Sequence, residues 1–261
     1  GSCDSLSPPH RYELPQGIAP GRHRLTLRID NGMIVDVGIN AHSVTDHTQT
    51  NWNGAIGAIT LEATDPVWIK DVQAYPDIAA KAFSLQVAIG NQTGQGRRGV
   101  LSVEARSLRS GDDARTVQRQ EVAIGAGGTE LTLFCPLGDD AALWDEFNPA
   151  LYELLVRIET TGEGPAFSHE RRVVTGLREV GTSGTQFTIN GRKTFMRGTL
   201  DCAVFPLTGY PPTDVDSWRK IIGTVKEYGL NHVRFHSWCP PKAAFAAADE
   251  LGCYLEVECA L

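Results

Sequence analysis

Residues 229–259, GLNHVRFHSWCPPKAAFAAADELGCYLEVEC, decide the fold. Positions 232–237 are a short run of strand formers. Pro240-Pro241 then opens a helix over 241–251 that places Ala244, Phe245, Ala248 and Leu251 on one face and stops at Gly252, and a second strand follows over 253–260. The same rhythm occurs just upstream. A strand over 192–200 is followed by a helix over 214–228, with Thr213 as N-cap, Gly229 as terminator, and Val215, Trp218, Ile221, Ile222 and Val225 spaced three and four apart. Strands alternating with helices make a parallel sheet with right-handed crossovers. The pattern is the opening of a (β/α)₈ barrel, which needs eight such units and about 250 residues. Two and a half are present, so the catalytic face is expected to be partial and the chain reads as a piece of an enzyme.

Upstream of the barrel units, residues 186–195 are two alternating runs around Asn190-Gly191, a hairpin signal because both turn residues must take φ > 0. Between residues 67 and 174 lie seven short runs (67–75, 83–90, 99–106, 117–124, 130–135, 152–159 and 169–174), the spacing of an immunoglobulin-like sandwich. Trp144 and Phe147 in the loop 143–149 both call for burial. Before the sandwich, 22–30 alternates with Leu25, Leu27 and Ile29 on one face, and 55–61 is a second apolar run. The predicted division is 1–64, 65–178 and 179–261.

The composition is that of an ordinary soluble globular protein: 261 residues, 41% hydrophobic, 21% charged, with 27 Gly and 14 Pro. The net charge of −7 comes without a basic stripe, which argues against nucleic acid and against an anionic membrane surface. No apolar run is long enough for a membrane span. The six cysteines show neither a CxxC pair nor a metal-ligand spacing and read mostly as free thiols. The compartment stays open, with a periplasmic or secreted one slightly favoured, and no signal peptide is seen.

The chemistry gathers on the barrel strands. Side chains alternate in a strand, so Arg234 and His236 share one face and Glu256 and Glu258 share one face, all four pointing into the barrel. Asp201 falls just past the first barrel strand, and Trp238 just past the second. Buried charges persist when paired or used, so Arg234 and Glu256 are either a structural ion pair or part of a ligand site. Active sites of such barrels sit at the carboxyl ends of the strands, where Asp201, His236, Trp238 and Glu258 cluster. In the first segment Asn51-Trp52-Asn53 joins an aromatic plate to two amides, which suits a sugar; an Asx-rich turn with an incidental Trp is the other reading. His42, Asp46 and His47 nearby lack metal-ligand spacing and read as solvated loop residues.

Particular strings then carry a resemblance. Residues 143–152 (LWDEFNPALY), 176–179 (GLRE), 187–198 (FTINGRKTFMRG) and 229–236 (GLNHVRFH) make the chain similar to glycoside hydrolase family 2, the β-galactosidase, β-glucuronidase and β-mannosidase family. The resemblance implies that residues 1–64 are the back half of a jelly-roll sugar-binding domain ahead of the sandwich and the barrel. It also implies a retaining exo-β-glycosidase acting on terminal sugars of oligo- or polysaccharides. Its two glutamates would follow barrel strands four and seven, beyond Leu261, so the chain as given is expected to be inactive and has no catalytic residue of its own. Arg234 would sit near the nucleophile and help keep it ionised, and His236 would contact substrate. The family's Ser-His-Tyr-Pro is here Phe235-His236-Ser237-Trp238-Cys239-Pro240, which displaces the histidine. The partner is a carbohydrate, and no cofactor or metal is implied. A non-catalytic carbohydrate-binding or adhesion module built from the β segments is the rival reading.

Overall fold

A computed structural model of the chain describes residues 1–4, 9–14, 17–48, 51–109 and 115–259. The contacts gather into two compact units. One comprises Thr60–Arg197 with Ala248–Tyr254, and the other Gly1–Ile59, Gly198–Ala247 and Leu255–Leu261.

The first unit is dominated by a sandwich of seven strands: β1 (Val67–Asp77), β2 (Ala82–Asn91), β3 (Arg97–Ser107), β4 (Arg115–Ile124), β5 (Thr129–Pro136), β6 (Leu151–Thr161) and β7 (Ser168–Gly176). They form two antiparallel sheets, β1-β2-β5 and β4-β3-β6-β7. Burial follows the period of two. Leu101, Val103 and Ala105 of β3 and Leu154, Val156 and Ile158 of β6 meet Phe83, Leu85, Val87 and Ile89 of β2 in one core. Each of these side chains larger than Ala105 contributes roughly 1.5–3 kcal/mol by leaving water. Cys135 lies in the same core, and burial pushes its thiol up to about 11. Among the described residues no disulfide joins any of the six cysteines.

The loop between β5 and β6 divides its two aromatics. Trp144 is fully buried against Tyr254, with ring centroids 5.6 Å apart, and its Nε1 donates to Asp249 O at 2.7 Å. Arg178 lies over the indole at 4.5 Å and reaches Asp249 at 3.6 Å. A Cβ on Gly176 would lie 2.7 Å from Trp144, so only glycine admits the ring there. Phe147, expected inside, is 77% exposed. Asp145 Oδ1 accepts from the backbone N–H groups of Phe147 and Asn148, and that turn points the phenyl outward.

A small sheet follows, β8 (Val180–Ser183), β9 (Gln186–Ile189) and β10 (Arg192–Lys193), in the order β10-β9-β8. Asn190 and Gly191 take φ +52° and +73°, as the Asn-Gly turn requires, and Ile189 pairs with Arg192. This hairpin uses the backbone of 192–193. The first strand of the next sheet therefore begins later than expected, at β11 (Gly198–Asp201), with Asp201 as its last residue rather than just beyond it.

In the second unit β11 pairs with β12 (His232–Phe235) in parallel register, Gly198 opposite His232 and Asp201 opposite Phe235. Helix α1 (Val215–Glu227) connects them. Its N-cap is Asp214, not Thr213: the carboxylate accepts from Ser217 N at 2.8 Å, and that bond holds the Asp214 carboxyl below its ordinary range. Trp218 and Ile222 of α1 are buried, and Trp218 meets Phe235 edge-on at 6.0 Å. Helix α2 (Lys242–Leu251) and β13 (Tyr254–Val257) complete the series, giving the sheet order β11-β12-β13. The buried face of α2 is alanine: 243, 244, 247 and 248. Phe245 falls off that stripe and is partly exposed. The end of the expected last strand, Ala260, lies outside the described residues. The described residues form three strands and two helices of this kind, and no closed barrel.

Residues 1–64 depart furthest from expectation. Neither 22–30 nor 55–61 is a strand, and the bridge Ser43–Asn51 is the sole ladder contact there among the described residues. Leu25, Leu27 and Ile29 are exposed. A period-two stretch becomes a strand only beside a hydrogen-bonding neighbour, and among the described residues these have none, so the jelly roll is not seen there.

Candidate functional site

Strand β12 sends Val233 and Phe235 into the apolar side, where both are buried, and Arg234 to the other face, as the alternation requires. Two glutamates from β13 and the residue after it converge on that guanidinium. Arg234 Nη2 donates to Glu258 Oε1 at 2.9 Å, and Nε lies 3.4 Å from Glu256 Oε1 without hydrogen-bond geometry. His232 reaches the other oxygen of Glu256 at 3.3 Å, and burial lowers its imidazole below the ordinary value. His236 Nε2 stands 4.0 Å from Glu258 Oε2. The four polar residues that strand parity grouped are therefore one cluster. Glu258 N also donates to Phe235 O, fixing the end of the sheet.

The chain then turns sharply. Ser237 takes φ +53°, and its hydroxyl donates to Asn40 O at 2.6 Å while meeting His236 Nδ1 at 2.9 Å and the His42 N–H at 3.3 Å. These bonds bring His42 onto His236, edge to face at 4.7 Å. His42 is half-buried, not a solvated loop residue. Burial holds its imidazole below its ordinary value, the neighbouring His236 adds to this, and Glu258 and Asp201 oppose it.

Asp201 completes the group at the end of β11. Its carbonyl accepts from His236 N at 2.9 Å and from Trp238 Nε1 at 3.3 Å, and its carboxylate accepts from Ala203 N at 2.8 Å. Burial raises the Asp201 carboxyl, against the opposing effects of the Ala203 and Trp238 hydrogen bonds and of His42. Trp238 is buried among Phe235, Phe205 and Trp52, at 5.3, 5.8 and 6.0 Å. Trp52 thus joins the cluster edge-on. Asn51 instead donates to Asp46 at 2.7 Å, and Asn53 stays exposed.

Arg234, His236, Trp238, Asp201, Glu258 and Trp52 are brought together, and the two asparagines are not. Sequence reasoning missed His42, Phe205 and Ser237. No periodicity marks a loop residue whose partner lies 195 positions away, although a polar Ser in an Arg-Phe-His-Ser string was in view. Among the described residues no group of three or more His, Cys, Asp or Glu is placed to hold a metal, and no helix is long and apolar enough to cross a membrane.

Residues 67–178, the sandwich, match the sequence family "Glycosyl hydrolases family 2". A β-galactosidase of Staphylococcus xylosus is 26% identical over 169 residues, covering 56% of this chain and 16% of that protein. Among solved structures, a family 2 glycosyl hydrolase of Bacteroides cellulosilyticus is similar at 22% identity with TM-score 0.61, covering 75% of this chain and 25% of the other. A Bacteroides uniformis β-glucuronidase is similar at 15% identity with TM-score 0.64, covering 76% and 25%. The chain spans about a quarter or less of the length of these relatives.

Proposed function

We propose that this chain is part of a retaining exo-β-glycosidase that removes terminal sugars from oligo- or polysaccharides. In this reading residues 1–64 belong to a jelly-roll domain, 65–178 are the sandwich and 179–261 begin a (β/α)₈ catalytic barrel. The observation that carries it is the family match over residues 67–178, in a chain that also gathers Asp201, His236, Trp238 and Glu258 at one end of three hydrogen-bonded strands.

The roles follow from the chemistry of each group. Neither Glu256 nor Glu258 is assigned as a reacting glutamate, because both are held on Arg234. Arg234 supplies positive charge that keeps a neighbouring carboxylate nucleophile ionised. His236, Asp201 and Glu258 offer polar atoms to sugar hydroxyls. Trp238 and Trp52 supply apolar surface to the C–H face of the ring, and Asn51 and Asn53 flank that edge. The two glutamates of a retaining enzyme would come from later in the protein that contains this chain.

The test is hydrolysis of a panel of 4-nitrophenyl β-glycosides by the protein containing this chain, with the anomer of the first product read by NMR. Retention is expected, and Arg234→Ala should lower kcat/KM by about 10²-fold or more. Residues 1–261 alone should release no nitrophenol. Inversion, inactivity of the longer protein on every β-glycoside, or turnover by residues 1–261 would overturn the reading.

A further inference from the structure

We propose that the His236 and Glu258 pair selects a neutral sugar through its hydroxyl protons and rejects a uronate, with Ser237 as the positioning residue that sets the histidine tautomer. This rests on the glycosidase reading and narrows its substrate class.

A serine oxygen has one proton to give and two lone pairs. The Ser237 proton goes to Asn40 O at 2.6 Å, because a carbonyl oxygen only accepts. The backbone N–H of His42 takes one lone pair at 3.3 Å. The contact with His236 Nδ1 at 2.9 Å must then be Nδ1–H donating into the other. The hydrogen-bond network thus assigns neutral His236 as the Nδ1–H tautomer. Its Nε2 is left as an acceptor, and it stands 4.0 Å from Glu258 Oε2. That oxygen receives no hydrogen bond from any described residue, whereas Oε1 is held by Arg234.

Two acceptors facing each other call for donors between them, and the hydroxyls of a sugar are donors. A uronate carboxylate accepts only, so it meets Nε2, Glu258 and Asp201 with no proton to offer. The Arg234 charge beside the pair is already shared between Glu256 and Glu258. Leaving acceptors opposed and unpaired is how a polar site rejects a ligand of the wrong hydrogen-bond sense.

Long-range ¹H–¹⁵N NMR on the ¹⁵N-labelled chain at pH 7.5 should find His236 as Nδ1–H. Ser237→Gly, which suits the positive φ, should shift that tautomer balance. Titration with methyl β-galactoside, β-glucoside and β-mannoside against methyl β-glucuronide and β-galacturonide should show a neutral sugar binding about tenfold or more tighter than its uronide. His236 found as Nε2–H in the unmutated chain overturns the proposal without any ligand. A uronide bound as tightly as its neutral counterpart overturns it and leaves the glycosidase reading standing. Binding of none of the five sugars overturns the proposal, and the glycosidase reading is then decided by the hydrolysis test on the longer protein.

Discussion

Two arginine–glutamate pairs of nearly equal geometry sit in the two units of this molecule. Arg106 meets Glu153 at 3.0 Å with side chains 41% and 21% exposed, and Arg234 meets Glu258 at 2.9 Å with side chains 43% and 25% exposed. What differs is the company. Arg106 and Glu153 are direct partners across the β3–β6 ladder, and Arg172 adds a second cation 3.9 Å from the other oxygen, so each oxygen of the carboxylate faces an arginine. Around Arg234 one cation serves two carboxylates, two imidazoles approach them, and one oxygen of Glu258 is left without a donor. Distance and exposure do not separate a surface pair from a site. The balance of donors and acceptors around the pair does.

In the sandwich unit stability resides in apolar burial, and Trp144 concentrates it. Trp144→Ala removes a fully buried indole, its bond to Asp249 O and the surface under Arg178. The expected loss is about 3–5 kcal/mol, read as a fall in urea midpoint at constant slope. A loss under about 1 kcal/mol would mean that charge pairs, not packing, hold this unit, and the contrast would collapse.

The sandwich was legible in the sequence because each of its strands buries one face, so the period of two is written in residue type: Leu101, Val103 and Ala105 inward, the residues between them partly exposed. The Asn190-Gly191 turn was legible for a different reason, since positive φ at both positions restricts residue choice. Parity also placed Arg234 on the face shared with the two glutamates. The errors fall where structure depends on distant partners. Residues 22–30 have a strand's alternation but no strand to pair with among the described residues, and alternation alone does not supply one. Phe147 is turned outward by backbone bonds to Asp145, which overrule its apolarity. His42 reaches the site through a serine far along the chain, and nothing local records that.

The two ion pairs can be compared directly by making each carboxylate an amide. Glu153→Gln and Glu258→Gln should each change stability by no more than about 1 kcal/mol, because both pairs are partly open to water. Only Glu258→Gln should move the His236 ring nitrogen resonances, since an amide can donate to Nε2 where a carboxylate cannot. A cost above about 3 kcal/mol for Glu153→Gln would show that pair to be structural after all. An unmoved His236 after Glu258→Gln would dissolve the distinction from the other side.

The smallest expected difference is in the response to acid. Burial holds His42 and His232 below their ordinary value of 6.5, so just under that pH the unfolded chain binds protons that the folded site refuses. The unfolded state then binds more protons, and stability falls as pH falls through that window. Asp201 acts in the opposite sense lower down. Burial raises its carboxyl above 3.8, so the folded state takes up that proton first and gains stability as pH drops through the raised value. Amide exchange compared at pH 7.5 and 5.5, after correction for intrinsic rates, should show protection falling in β11 and β12 while β3 and β6 hold theirs. His42→Phe, which leaves nothing to protonate at that position, should reduce the drop. Equal loss of protection in all four strands would place the acid sensitivity outside the histidine cluster and remove this difference between the units.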